Sequence, residues 1–268
     1  MRLFLAIWIL WVGLFPFSLT GAERIKMATT TSLDNSGFLD YLLPRFAKES
    51  GIKIDVIAVG TGKALKLGEN GDVDLVFVHA PKAEAEFVRK GFGVQRTTVM
   101  YNYFLIVGPP RDPARIQGKD AIESFRRIYQ GRYTFVSRGD ESGTHKKEKE
   151  LWKMAGLQPG GSWYLEAGQG MAATLQIADE KRGYTLVDTS TFLALQKKLN
   201  LVPLCRDKTR LLNLYSVIAV NPQKYPRVKY EAAMKFIEWI SSRKGKRLIR
   251  EFTTQGKRTF YPMDNLHP

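Results

Sequence analysis

Short β-branched runs alternate with helical patterns along most of the chain. Ile25 to Ala28, Ile52 to Val59, Leu75 to Val78, Tyr133 to Val136, Thr185 to Val187 and Val217 to Val220 read as strands. Between the first two, Phe38, Leu39, Leu42, Leu43 and Phe46 form one apolar stripe at helical spacing. A C-terminal helix is marked by Phe236, Ile237, Ile240, Leu248, Ile249 and Phe252. No internal repeat or low-complexity tract interrupts this alternation, so the pattern predicts an α/β fold with a largely parallel sheet and ligands at the carboxyl ends of strands.

Two longer apolar runs end at prolines: Met100 to Val107 before Gly108-Pro109-Pro110, and Leu211 to Val220 before Asn221-Pro222. If both cross between lobes, residues 23–107 plus 216–268 form lobe I and residues 108–215 form lobe II. Such a chain holds its ligand in the central cleft and closes by hinge motion. A single continuous α/β domain is the alternative.

Residues 1–22 carry a different pattern. Leu3 to Leu19 is almost entirely apolar, preceded by Arg2 and followed by Thr20-Gly21-Ala22. This reads as a secretory signal peptide cleaved near Ala22, and the expected location is periplasmic. An uncleaved anchor is the alternative, although a stretch of about 17 residues containing Pro16 is short for a span.

The 268 residues are 44% hydrophobic and 25% charged, which excludes a disordered chain. A formal charge of +15 invites a polyanionic partner. Removing residues 1–22 deletes only Arg2 among charged residues and leaves +14. Export, and basic residues that are scattered rather than striped among aromatics, argue against nucleic acid. The single Cys205 and the dispersed His79, His145 and His267 point to no disulfide framework, no metal site and no cofactor.

Four loops carry candidate chemistry. Thr29-Thr30-Thr31-Ser32 follows the first strand, and clustered hydroxyls where a strand turns into a helix suit an anion or ordinary helix capping. Gly60-Thr61-Gly62-Lys63 follows the second; it lacks the GxxxxGK[ST] pattern of a phosphate loop and serves equally as a tight turn. In Ser137-Arg138-Gly139-Asp140-Glu141-Ser142-Gly143-Thr144-His145, Arg138 offers a bidentate fork, while Ser142, Gly143 and Thr144 offer donors at a helix start. Gly168 to Leu175 places a glycine-rich turn before another helix, with Met171 and Thr174, and Tyr184 and Asp188 near the next strand, as candidate contacts and with core packing and capping as the alternative. Asp140, Ser142 and His145 suggest an exported hydrolase, but no GxSxG elbow accompanies them.

With TTTS, VGTGKA, SRGDESGTHKKE and AGQGMAATL in this order, the chain resembles the tungstate-binding proteins of tungstate ABC transporters, over about residues 24–262. The resemblance implies a class II periplasmic binding protein fold: two lobes, a central cleft and two crossover segments. It implies tungstate or molybdate as ligand, a membrane permease as partner, a monomer and no catalysis. Its oxyanion contacts fall on Thr30, Thr31, Ser32, Thr61, Arg138, Ser142, Gly143 and Thr144, with Met171 and Thr174 as further candidates. Receptors for molybdate, sulfate or phosphate are the alternatives. The related phosphate-binding proteins place a carboxylate after the third strand, where this chain has His79. A carboxylate repels a fully deprotonated dianion and a histidine can donate to it, which favours tungstate, molybdate or sulfate over phosphate.

Overall fold

The computed structural model describes residues 23–264; the signal segment expected at residues 1–22 lies outside the described residues. In the first third, strands β1 (Glu23–Thr30), β2 (Ile52–Val59) and β3 (Leu75–Val78) run parallel with β1 in the centre. Each strand ends in a loop that opens a helix: α1 (Thr31–Asn35) continuing into α2 (Phe38–Ser50), then α3 (Thr61–Asn70) and α4 (Pro81–Arg89). The predicted stripe of α2 buries Phe38, Leu39, Leu42 and Phe46. Its ends are set by Gly37 and Gly51, both in the left-handed conformation that glycine adopts without steric cost.

Strand β4 (Gly93–Gly108) is 16 residues long and serves two neighbourhoods. In the middle of the chain follow α5 (Ala121–Gln130), β5 (Phe135–Ser137), α6 (Gly143–Met154), β6 (Tyr164–Glu166), α7 (Met171–Glu180), β7 (Thr185–Asp188), α8 (Thr189–Leu195) and β8 (Val202–Cys205). The chain returns through β9 (Leu212–Val220) and ends in α9 (Tyr230–Ser241), α10 (Arg243–Glu251) and three short strands, β10 (Thr253–Thr254), β11 (Lys257–Arg258) and β12 (Tyr261–Pro262). Gly93 to Tyr103 of β4 pairs antiparallel with β9, which in turn pairs antiparallel with β3. Phe104 to Gly108 instead pairs with β7 and β8. The cores change with the pairing: Val99 and Met100 pack with Phe77, Tyr215 and Phe260, whereas Phe104 and Ile106 pack with Phe125, Phe135 and Trp152.

Three features differ from the sequence pattern. The central sheet is mixed, because the two long runs pair with each other antiparallel. The fourth expected strand starts two residues later, at Phe135, since Tyr133 follows the turn that closes α5. The C-terminal helix is two helices. Ser242 leaves the helical conformation at φ −66° and ψ 167°, and its hydroxyl accepts from Gly245 N at 3.2 Å to start α10.

Candidate functional site

The loops at the carboxyl ends of β1, β2, β3, β5 and β7 carry the polar residues of the site. Register brings the first two together: Thr30 pairs with Val59, two residues before Thr61. Thr29 belongs to the sheet, its hydroxyl donating to Phe77 O at 2.8 Å. Thr30 caps α1 by accepting from Leu33 N at 3.3 Å, and its Oγ1 lies 3.2 Å from Ser32 Oγ. Thr31 is half-buried and Ser32 is buried. Thr61 opens α3 fully buried, its hydroxyl without a protein partner.

On the other side, β5 leads into Ser137 and Arg138. Arg138 is 4% exposed, and its Nη2 pairs with Asp140 Oδ2. Asp140 Oδ1 also accepts from Ser142 N at 3.1 Å, so one carboxylate fixes both the guanidinium and the start of α6. Arg138 Nε has no protein partner. Ser142 caps α6, accepting from His145 N at 3.2 Å, and Thr144, 1% exposed, holds a second hydroxyl without a partner.

His79 and Gly143 join the two sides. A Cβ placed on Gly143 would stand 2.8 Å from His79 Cε1, so the backbone of α6 rests directly on the imidazole. The ring stacks on Tyr215, with centroids 4.8 Å apart, and its Nδ1 lies 2.9 Å from Asn213 Oδ1. Nε2 faces Ser32 Oγ at 3.4 Å. Burial holds the imidazole below its ordinary pKa and the positive Arg138 adds to this, against Asp188 and the bond to Asn213. A neutral ring that donates from Nδ1 to Asn213 presents an acceptor, Nε2, to Ser32, and donation from Nε2 then requires a second proton on the ring.

The remaining candidates are used internally. Met171 packs with Val136, Leu175 and Val187, and the Thr174 hydroxyl donates to Gly170 O at 3.1 Å within its own helix turn. The serine–histidine pair of a hydrolase is not formed here: Ser142 Oγ accepts from His145 N, and His145 Nδ1 accepts from Glu141 N at 3.0 Å rather than from the serine.

A model of the PBP superfamily domain matches residues 18–244. The chain is 46% identical over 231 residues to the tungstate-binding protein TupA of Peptoclostridium acidaminophilum, covering 85% of this chain and 81% of the relative. It is 47% identical to the tungstate-binding protein TupA of Campylobacter jejuni, with 85% and 87% covered. The chain belongs to the PBP superfamily and to this tungstate-binding family within it. The crystal structure of the tungstate ABC transporter from Geobacter sulfurreducens superposes with a TM-score of 0.80 at 52% identity, covering 86% of this chain and 99% of that one. The fold is that of the periplasmic binding proteins, as the order of motifs implied.

Several polar residues of this PBP-superfamily site carry no loop motif. Asn102 and Asn213 sit opposite each other on β4 and β9, and Asn213 Nδ2 donates to Asn102 Oδ1 at 2.8 Å. Their signal in the sequence is a polar residue interrupting an apolar strand. Asp188 caps α8, accepting from Thr191 N at 3.0 Å and Thr191 Oγ1 at 2.6 Å. Glu148, behind the Arg138 loop, accepts from Ser137 Oγ, Trp152 Nε1 and Tyr164 Oη at 2.8, 3.1 and 2.7 Å. Burial pushes its carboxyl up to about 7 despite those three donors.

Proposed function

We propose that the protein captures tungstate, and molybdate with it, in the periplasm and hands it to the permease of an ABC transporter without transforming it. The observation that carries this reading is a set of three buried donors that lack protein partners: Thr61 Oγ1, Arg138 Nε and Thr144 Oγ1. Leaving such groups unpaired costs about 1–3 kcal/mol each, and an oxyanion with four acceptor oxygens would satisfy all three. Each charge-assisted bond contributes about 1.5–3 kcal/mol, so a few support tight binding. The relatives named as tungstate-binding proteins support the choice of tetrahedral ion.

The two cores then act as lobes that close on the anion by bending where β4 and β9 pass between them. The site adds one guanidinium, itself paired with Asp140, so the ion meets little fixed positive charge and can be released. The surplus of basic residues in the whole chain steers a scarce dianion toward the site. The protein works as an exported monomer. Titration calorimetry against tungstate, molybdate, sulfate and phosphate tests the reading, and competition between the first two ranks them. Phosphate binding more tightly than tungstate would overturn it.

A further inference from the structure

A chain of buried hydrogen bonds runs from the crossing strands to the Thr30–Ser32 loop. Asn213 Nδ2 is engaged by Asn102 Oδ1 at 2.8 Å and Tyr215 Oη at 3.1 Å. This orients Asn213 Oδ1 as the acceptor for His79 Nδ1 at 2.9 Å. A neutral imidazole carries one N–H, so that bond places the proton on Nδ1 and leaves a lone pair on Nε2. Nε2 faces Ser32 Oγ, which has one proton to give. Donated to His79, that proton is lost to an anion. Turned to an anion, it leaves two lone pairs facing each other across the Ser32–His79 contact.

We propose that His79 is a positioning residue of the oxyanion site that takes up one proton from solvent when the dianion binds, donating then from both ring nitrogens and freeing the Ser32 hydroxyl for the anion. This rests on the anion-binding reading above. No bond changes other than the new Nε2–H, and the bound dianion and imidazolium together carry one net negative charge.

The groups around the ring set the direction of the coupling. Asp188, at the start of α8, favours the imidazolium, and Arg138, on the loop after β5, opposes it. Tyr215 of β9 covers one side in stacked contact, Phe104 of β4 lies 6.2 Å away, and Gly143 of α6 closes in without a side chain. Without ligand, burial keeps the ring neutral. A dianion beside Ser32 offsets Arg138 and draws a proton. A ligand that raises a group's pKa binds more tightly as pH falls, by up to about tenfold per pH unit between the free and bound values.

Calorimetry of the purified protein with tungstate, in buffers of different ionisation enthalpy between about pH 6 and 8, counts the protons. The expected result is uptake approaching one per anion, with affinity falling as pH rises. His79→Gln should bind more weakly and without that uptake, whereas His145→Gln retains it. Nitrogen NMR of the imidazoles needs no variant: one acceptor nitrogen on His79 without tungstate and two protonated nitrogens with it. Equal uptake in His79→Gln and wild type, or a His79 spectrum unmoved by bound tungstate, overturns the proposal. No tungstate binding at any pH would instead overturn the anion-binding reading itself.

Discussion

Arg138 and Asp140 share one ion pair on the loop after β5, Nη2 against Oδ2, and that pairing leaves the Nε–H of the same guanidinium without a protein acceptor. The carboxylate thus holds one edge of the fork and leaves Nε for the proposed ligand. Arg138→Lys keeps the charge but has a single ammonium for both tasks. Its tungstate affinity should fall about 10–100-fold, the loss of one charge-assisted bond of about 1.5–3 kcal/mol. Calorimetry reads this directly, and unchanged affinity would mean that charge alone suffices.

Thr61 and Thr144 offer a test in which stability and binding move in opposite directions. Thr61→Val and Thr144→Val keep the shape and remove a buried hydroxyl that has no protein partner. Without ligand, thermal stability should hold or rise, since an unmet buried polar group is destabilising. Tungstate affinity should fall several-fold in each variant. Melting curves with and without tungstate separate the two effects; a loss of stability in the unliganded variants would show that the hydroxyls serve the fold.

Gly143 has an ordinary backbone for a helix start, so nothing local demands glycine there. Its neighbour does: the His79 ring would meet an added Cβ at 2.8 Å. Gly143→Ala should therefore weaken tungstate binding by displacing α6 from the imidazole, although alanine is the better helix former. Gly170→Ala makes a control at the start of α7, where an added Cβ meets nothing within 4 Å. Equal affinity in the wild type and Gly143→Ala would remove the contact from the site.

Glu148 should leave its mark on the pH dependence of stability. Its folded carboxyl titrates at about 7, above the ordinary value of 4.5, because burial penalises the charged form. Between those values the unfolded chain releases a proton that the folded protein retains. This group's contribution to stability is therefore full below about 4.5 and declines as pH rises toward 7. Glu148→Gln should flatten that decline in thermal melts, and a slope identical to wild type would show that Glu148 ionises normally.

Features that depend on near neighbours are legible in the order of residues. The β-branched runs at Ile52–Val59 and Leu75–Val78 form strands over those same residues, and Ser142 caps a helix where its spacing predicts one. The motif order was also enough to name the family. Capping, helical periodicity and turn chemistry act over a few residues, so they are written locally.

Which of those pieces meet is set by packing across the whole molecule. Apolar runs 100–107 and 211–220 read as crossing segments, but only strand pairing sets Asn102 opposite Asn213 and so places a hydrogen-bonded amide beneath His79, 134 residues from Asn213 along the chain. The same holds for Gly143 against the imidazole and for Tyr184, whose hydroxyl serves Asp112 at 3.0 Å rather than a ligand. A period of two shows that a strand has a buried face, and nothing in it names the strand beside it. Register therefore belongs to the packed molecule, and the contact between His79 and Asn213 follows from register.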